Sequence, residues 1–107
     1  MNSTGLKQQV VERVDALQND LWEIVSELYA NPEVAFKEYQ ASELLSRFLE
    51  KHGFEVKQEV GILETAFQAT LNGRGDFPVV AFLAEYDALP GIGHACGHNL
   101  IAAAALG

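Results

Sequence analysis

Apolar residues recur along the first thirty positions at alternating steps of four and three: Val10, Val14, Leu17, Leu21, Ile24 and Leu28. That spacing lines them up on one helical face and predicts a helix from about Leu6 to Tyr29. Ser3 and Thr4 are candidate N-caps, and Asn31-Pro32 ends the helix because proline pushes the residue before it out of the α region. The stripe suits a short coiled coil or a helix packed on its own domain's sheet; packing on the sheet is the expectation. A second helix is predicted from about Tyr39 to His52, with Ala41, Leu44, Leu45, Phe48 and Leu49 on one face and Gly53 as its C-terminal stop.

Beyond Gly53 the period changes. Residues 54–60 and 66–71 alternate apolar with polar, which predicts two strands with one exposed face each. The turn formers Asn72-Gly73-Arg74-Gly75-Asp76 read as a connection between strands. Val79-Val80-Ala81-Phe82-Leu83-Ala84 does not alternate, and this predicts a central strand buried on both faces. Leu100 to Leu106, with four consecutive alanines, reads as a helix buried on most sides. The pattern defines an α/β chain whose sheet is incomplete and whose last helix has no large partner to cover it. The expectation is a truncated domain.

Composition narrows the classes. With 107 residues, 49% hydrophobic and 21% charged, the chain is ordinary globular material for one domain at most. Fifteen acidic against seven basic side chains give a formal charge of -8, which argues against nucleic acid and anionic membrane surfaces as partners. Cys96 is the only cysteine, so no internal disulfide is expected and a reducing, cytoplasmic compartment is the simpler assumption. No apolar leader opens the sequence and the longest apolar run is seven residues, so neither a signal peptide nor a membrane span is expected. The carboxylates of the first two helices read as a solvated face, and His52 as a cation at a helix C-terminus.

The candidate chemistry is concentrated in His94-Ala95-Cys96-Gly97-His98, which holds the one cysteine and two of the three histidines. It follows the C-terminal end of the predicted buried strand, where open α/β sheets place their ligands. Thiolate and imidazole suit zinc, and glycines at 91, 93 and 97 allow the tight turns that aim alternate side chains at one point. The competing reading makes Cys96 a small buried hydrophobe and the histidines loop residues. A short segment cannot fill a tetrahedral shell, so further ligands must come from elsewhere. Glu85 and Asp87 are spaced two apart, so on an extended backbone both can face that loop. One could orient a ligand imidazole; alternatively they are solvated acids, with Asp87 initiating the turn before Leu89-Pro90. Tyr86 between them reads as a core aromatic. No Gly-x-Ser-x-Gly elbow, phosphate loop or dinucleotide fingerprint is present, and a Cys96 nucleophile paired with either histidine has no third residue to orient the base.

From Leu83 to Ala102, through Glu85-Tyr86-Asp87-Ala88-Leu89-Pro90-Gly91-Ile92-Gly93-His94-Ala95-Cys96-Gly97-His98-Asn99, the chain resembles the two-metal amidohydrolases and peptidases. That family includes aminoacylase, carboxypeptidase G and the auxin-conjugate hydrolases, and the stretch looks most like its cytosolic Xaa-Arg or β-alanyl dipeptidase branch. Asn31-Pro32-Glu33 and Phe36-Lys37-Glu38-Tyr39 are similar to the family's N-terminal segment. The resemblance implies that residues 1–107 are the N-terminal part of an α/β/α zinc-peptidase-like catalytic domain, with a mostly parallel sheet and without the lid or dimerisation domain. It implies Cys96 and His98 as metal ligands and Asp87 as the acid of the family's His-x-Asp motif, counted as catalytic. That motif's histidine is replaced here by Glu85, and Asn99 stands where the auxin-conjugate branch has aspartate. His94 and Glu85 are further candidates for metal or substrate. The complete protein is expected to hold two zinc ions, or manganese or cobalt, and to hydrolyse an amide bond in a dipeptide or N-acyl amino acid, as a possible homodimer. The 107 residues alone are expected to be inactive. The alternative is a catalytically dead module that binds metal or a partner.

Overall fold

The computed structural model describes residues 3–107. Helix α1 spans Ser3–Ala16 and α2 Gln18–Ala30, so the apolar stripe forms two helices rather than one. The break is at Leu17, whose backbone (φ -88°, ψ -1°) departs from regular helical values although its N–H still reaches Arg13 and Val14. Its cause lies in packing: α2 buries Ile24 and Leu28, whereas α1 buries nothing and leaves Leu6, Val10 and Val14 exposed. A helix held at one end only is free to bend where the packing begins. With α1 projecting, the radius of gyration is 15.0 Å, above the about 13 Å of a compact chain this long.

The end of α2 is built as the sequence predicts. The Asn31 main-chain N–H and its side-chain amide both donate to the Glu27 carbonyl, and Pro32 then bars continuation. Helix α3 spans Tyr39–Lys51. It closes with Gly53 at φ +93°, the Gly53 N–H on Glu50 O and the Phe54 N–H on Leu49 O, the paired bonds of a glycine-terminated helix. Strands β1 (Glu55–Gln58) and β2 (Phe67–Thr70) are shorter than their alternating runs and pair antiparallel, Val56 opposite Ala69. The Gln58 side chain ties this sheet to α3 by donating to the buried Ser46 hydroxyl.

Further expectations are corrected. Val79–Ala84 joins no ladder, and Val79, Phe82 and Leu83 are 86%, 79% and 93% exposed. A strand buried on both faces needs neighbours on both edges and helices above and below; among the described residues β1 and β2 pair with each other instead. The turn at 72–76 therefore leads out of β2 into a segment with no ladder, not into another strand. Helix α4 begins two residues earlier than its apolar run, at His98, and spans His98–Leu106. It is buried along one side only: Ala102 and Ala103 pack against Ile24 and Leu28 of α2, with Ala41 and Leu45 of α3 completing the core, while Leu100 and Ile101 face outward. The result is a small helix and strand unit with a two-stranded sheet, compatible with part of an α/β domain rather than showing its layers. No helix among the described residues is long and apolar enough to cross a membrane.

Leu45 is 1% exposed, so Leu45→Ala should lower unfolding free energy by about 2–5 kcal/mol, whereas Val10→Ser on α1 should stay within about 0.5 kcal/mol. Urea titration of the two variants checks this. The exposed Val79–Leu83 surface should also bind a hydrophobic dye, with Phe82→Ser plus Leu83→Ser reducing the signal at an unchanged thermal midpoint.

Candidate active site

The site is built where the chain returns to α4. Ala88 is fixed by its N–H on the Glu33 carbonyl at 2.7 Å and by a parallel bridge to Val34. Leu89 and Gly93 then exchange main-chain hydrogen bonds of 2.9 and 3.1 Å, closing a tight loop that brings the chain back beside Pro32. Gly97, at φ +80°, is the N-cap of α4 and turns the backbone into the helix. His98 is the first helical residue, and the buried Asn99 beside it donates from its amide to Val25 O, fastening this end of α4 to α2.

Three of the five candidate residues come together. His98 Nδ1 lies 2.8 Å from Asp87 Oδ1 and 2.9 Å from the Asp87 carbonyl, so an Nδ1–H donates to both. On the other side of the ring, Nε2 lies 3.0 Å from Glu85 Oε2. Glu85 and Asp87 thus reach the same imidazole, as their spacing predicts. Tyr86 points elsewhere: it stacks on Phe67 at 6.0 Å, donates its hydroxyl to the Thr65 carbonyl, and burial raises its pKa above the ordinary phenol range. The Asp87 carboxylate is engaged with the ring, and its side chain is 30% exposed.

The remaining two candidates stand apart from that contact. Cys96 is a free, exposed thiol, and among the described residues no three His, Cys, Asp or Glu side chains gather closely enough to hold a metal ion. His94 is half-buried, and its Nδ1 is a buried nitrogen with no hydrogen-bond partner among the described residues. Burial lowers its pKa below the ordinary imidazole range, and the neighbouring His98 acts in the same direction. The donor set fits a metal in part. An imidazole whose Nδ1–H is held by a carboxylate is oriented as metal-binding histidines are, with Nε2 outward. It is one such ligand, with Glu85 beside it.

One residue that the sequence did not single out for chemistry is Glu33. Its carboxylate accepts the Gln40 and Ala41 N–H groups at the start of α3, at 3.0 and 2.7 Å. Its signals in the sequence are an acid six residues before the start of α3 and its place in Asn31-Pro32-Glu33, and neither points to these two N–H groups.

No family model matches the chain. Individual relatives do. The chain is 42% identical over 115 aligned positions to the Xaa-Arg dipeptidase of Mus musculus, covering 95% of this chain and 26% of the relative. It is 35% identical to a p-aminobenzoyl-glutamate hydrolase chain of Escherichia coli, covering 88% of this chain and 23% of the relative. Identity to thermostable carboxypeptidase 2 of Saccharolobus solfataricus is also 35%, over 91% of this chain and 30% of the relative. The chain belongs to the amidohydrolase and peptidase family of these hydrolases. It spans about a quarter of the length of the curated relatives it matches.

Gly97→Ala should strain the turn into α4, since an L side chain at φ +80° costs about 1 kcal/mol or more. With nothing within 4 Å of the added Cβ, the loss comes from the backbone alone. Gly97→Asn should therefore recover part of it in a thermal melt.

Proposed function

We propose that this chain contributes the residues around His98 to a metal-dependent hydrolase that cleaves an amide bond in a dipeptide or N-acyl amino acid. The observation that carries the reading is the His98 ring, fastened through Nδ1 to Asp87 and presenting Nε2 on the side of Glu85. The names of the relatives support the substrate class, since they act on dipeptides, carboxypeptidase substrates or acylated amino acids.

In this reading His98 binds metal through Nε2 and Cys96 through its thiolate, with Glu85 and His94 as further donors. Zinc, manganese or cobalt serves, two ions per complete site, and the remaining ligands come from other segments of a family-length protein. A bound divalent ion supplies Lewis acidity to the scissile carbonyl and to the attacking water. Asp87 keeps the proton on Nδ1 of His98, so that Nε2 remains a lone-pair donor. The loop from Leu89 to Gly93 holds the Cys96 and His98 segment in place. The protein is proposed to be cytoplasmic and to form a homodimer.

In a family-length protein carrying these residues, Asp87→Asn keeps the shape and removes the charge; metal affinity or turnover should fall roughly 10- to 100-fold with the fold intact. Unchanged turnover at full metal loading would refute that role of Asp87. Cys96→Ala should lower metal content and activity together. The 107-residue chain by itself should release no product from dipeptides or N-acyl amino acids, and measurable turnover by the pure chain contradicts the assignment of the other ligands to other segments.

A further inference from the structure

The Pro32-Glu33-Val34 segment has no part in the proposed chemistry, yet it touches both the start of α3 and the loop that carries Asp87. The Glu33 carboxylate satisfies the Ala41 N–H at 2.7 Å and the Gln40 N–H at 3.0 Å. Its own carbonyl accepts the Ala88 N–H at 2.7 Å, and Val34 is bridged to Ala88. On the far side of the loop, a Cβ added to Gly93 would meet Pro32 Cβ and Cγ at 3.9 Å, ordinary contact distance, so the loop lies against the proline.

We infer that Glu33 is a positioning residue for the Asp87–His98 pair. The first N–H groups of a helix have no partner within it, and a carboxylate placed there is held by charge-assisted hydrogen bonds and by the helix dipole. Glu33 is therefore pinned at its side chain to α3, which is itself anchored in the core by Leu45. Its carbonyl passes that fixed position to Ala88, one peptide from Asp87. Asp87 must stay within hydrogen-bond reach of His98 Nδ1 to hold the proton there, so the ring's tautomer depends on a carboxylate that never touches it. The inference rests on the reading of Asp87 and His98 as site residues. Its test uses neither metal nor substrate, so that failure of one leaves the other standing.

The measurement is nuclear magnetic resonance of the 107-residue chain, following the hydrogen-bonded Nδ1–H proton of His98 and the exchange of the Ala88 amide. In Glu33→Ala the Ala88 amide should exchange about tenfold faster, the scale of a lost helix cap, and the His98 Nδ1–H signal should be lost to solvent. Glu33→Gln, whose amide oxygen can still accept one of the two N–H groups, should fall between parent and alanine on both readouts and stands in should the alanine variant not fold. Glu38→Ala, which removes the acceptor of the Thr65 hydroxyl from the same turn, should move neither. Unchanged Ala88 exchange with a retained Nδ1–H signal in the Glu33 variants overturns the inference. Equal loss of protection across α2, α3 and α4 also overturns it, because it makes Glu33 a residue of general stability.

Discussion

Two helices can approach closely only where their facing side chains are small, and the rest of this structure depends on that approach between α2 and α4. Ala102 and Ala103 are buried against Ile24 and Leu28, and neither extends beyond a methyl group. Helix axes pack at about 8–10 Å with the distance set by such residues, so a larger side chain at either position would push α4 outward as a rod. His98 sits at the end of that rod. The Asn99 amide on Val25 O adds a directional bond to an otherwise slippery alanine contact, and at the other end Gly107 fits beside Leu21, where an added Cβ would come within 3.0 Å. The position of the imidazole is thus a consequence of core packing before it is a matter of polar contacts.

Parts of the fold governed by neighbours in sequence were legible. Helix α3 and its glycine stop, the Asn31-Pro32 terminus and both short strands follow from periodicity and turn chemistry, because each is decided within a few residues. The break at Leu17 was not legible, since the apolar stripe runs through it unchanged and only the one-ended burial of the helix pair reveals it. The run Val79–Ala84 shows the same limit from the other side. Continuous hydrophobicity states what environment a segment suits, and whether a ladder forms depends on which strands lie beside it. Here α3 and β2 are satisfied without it, and it stays outside the core.

The candidate site divides in the same way. The shared reach of Glu85 and Asp87 toward one loop follows from two-residue spacing on an extended backbone, and the structure brings both to His98. The density of histidine and cysteine between residues 94 and 98 marked the loop but not which side chains meet; Cys96 is exposed, and the buried Nδ1 of His94 makes no hydrogen bond among the described residues. Glu33 could not be read from the sequence at all in this respect. Its hydrogen bonds connect residues that are adjacent only after α3 and the Ala88 loop have packed.

The contact between His98 and Glu85 carries a further constraint. With Nδ1–H directed at Asp87, a neutral ring offers Nε2 as a lone pair, and a carboxylate oxygen 3.0 Å away is a second acceptor. Two acceptors at that distance repel unless a proton or another cation lies between them. The Asp87 side is half-buried and doubly bonded, so it gives way last. The Glu85 side chain is 70% exposed and anchored by no other hydrogen bond described for it, so the balance between attraction and repulsion is settled there, by rotation of a solvated side chain at little cost. The solvated Glu85 carboxylate can turn toward Nε2 or away from it. The asymmetry separates the two acids: Asp87 meets Nδ1 from a side chain that is mostly buried, and Glu85 meets Nε2 from a solvated one.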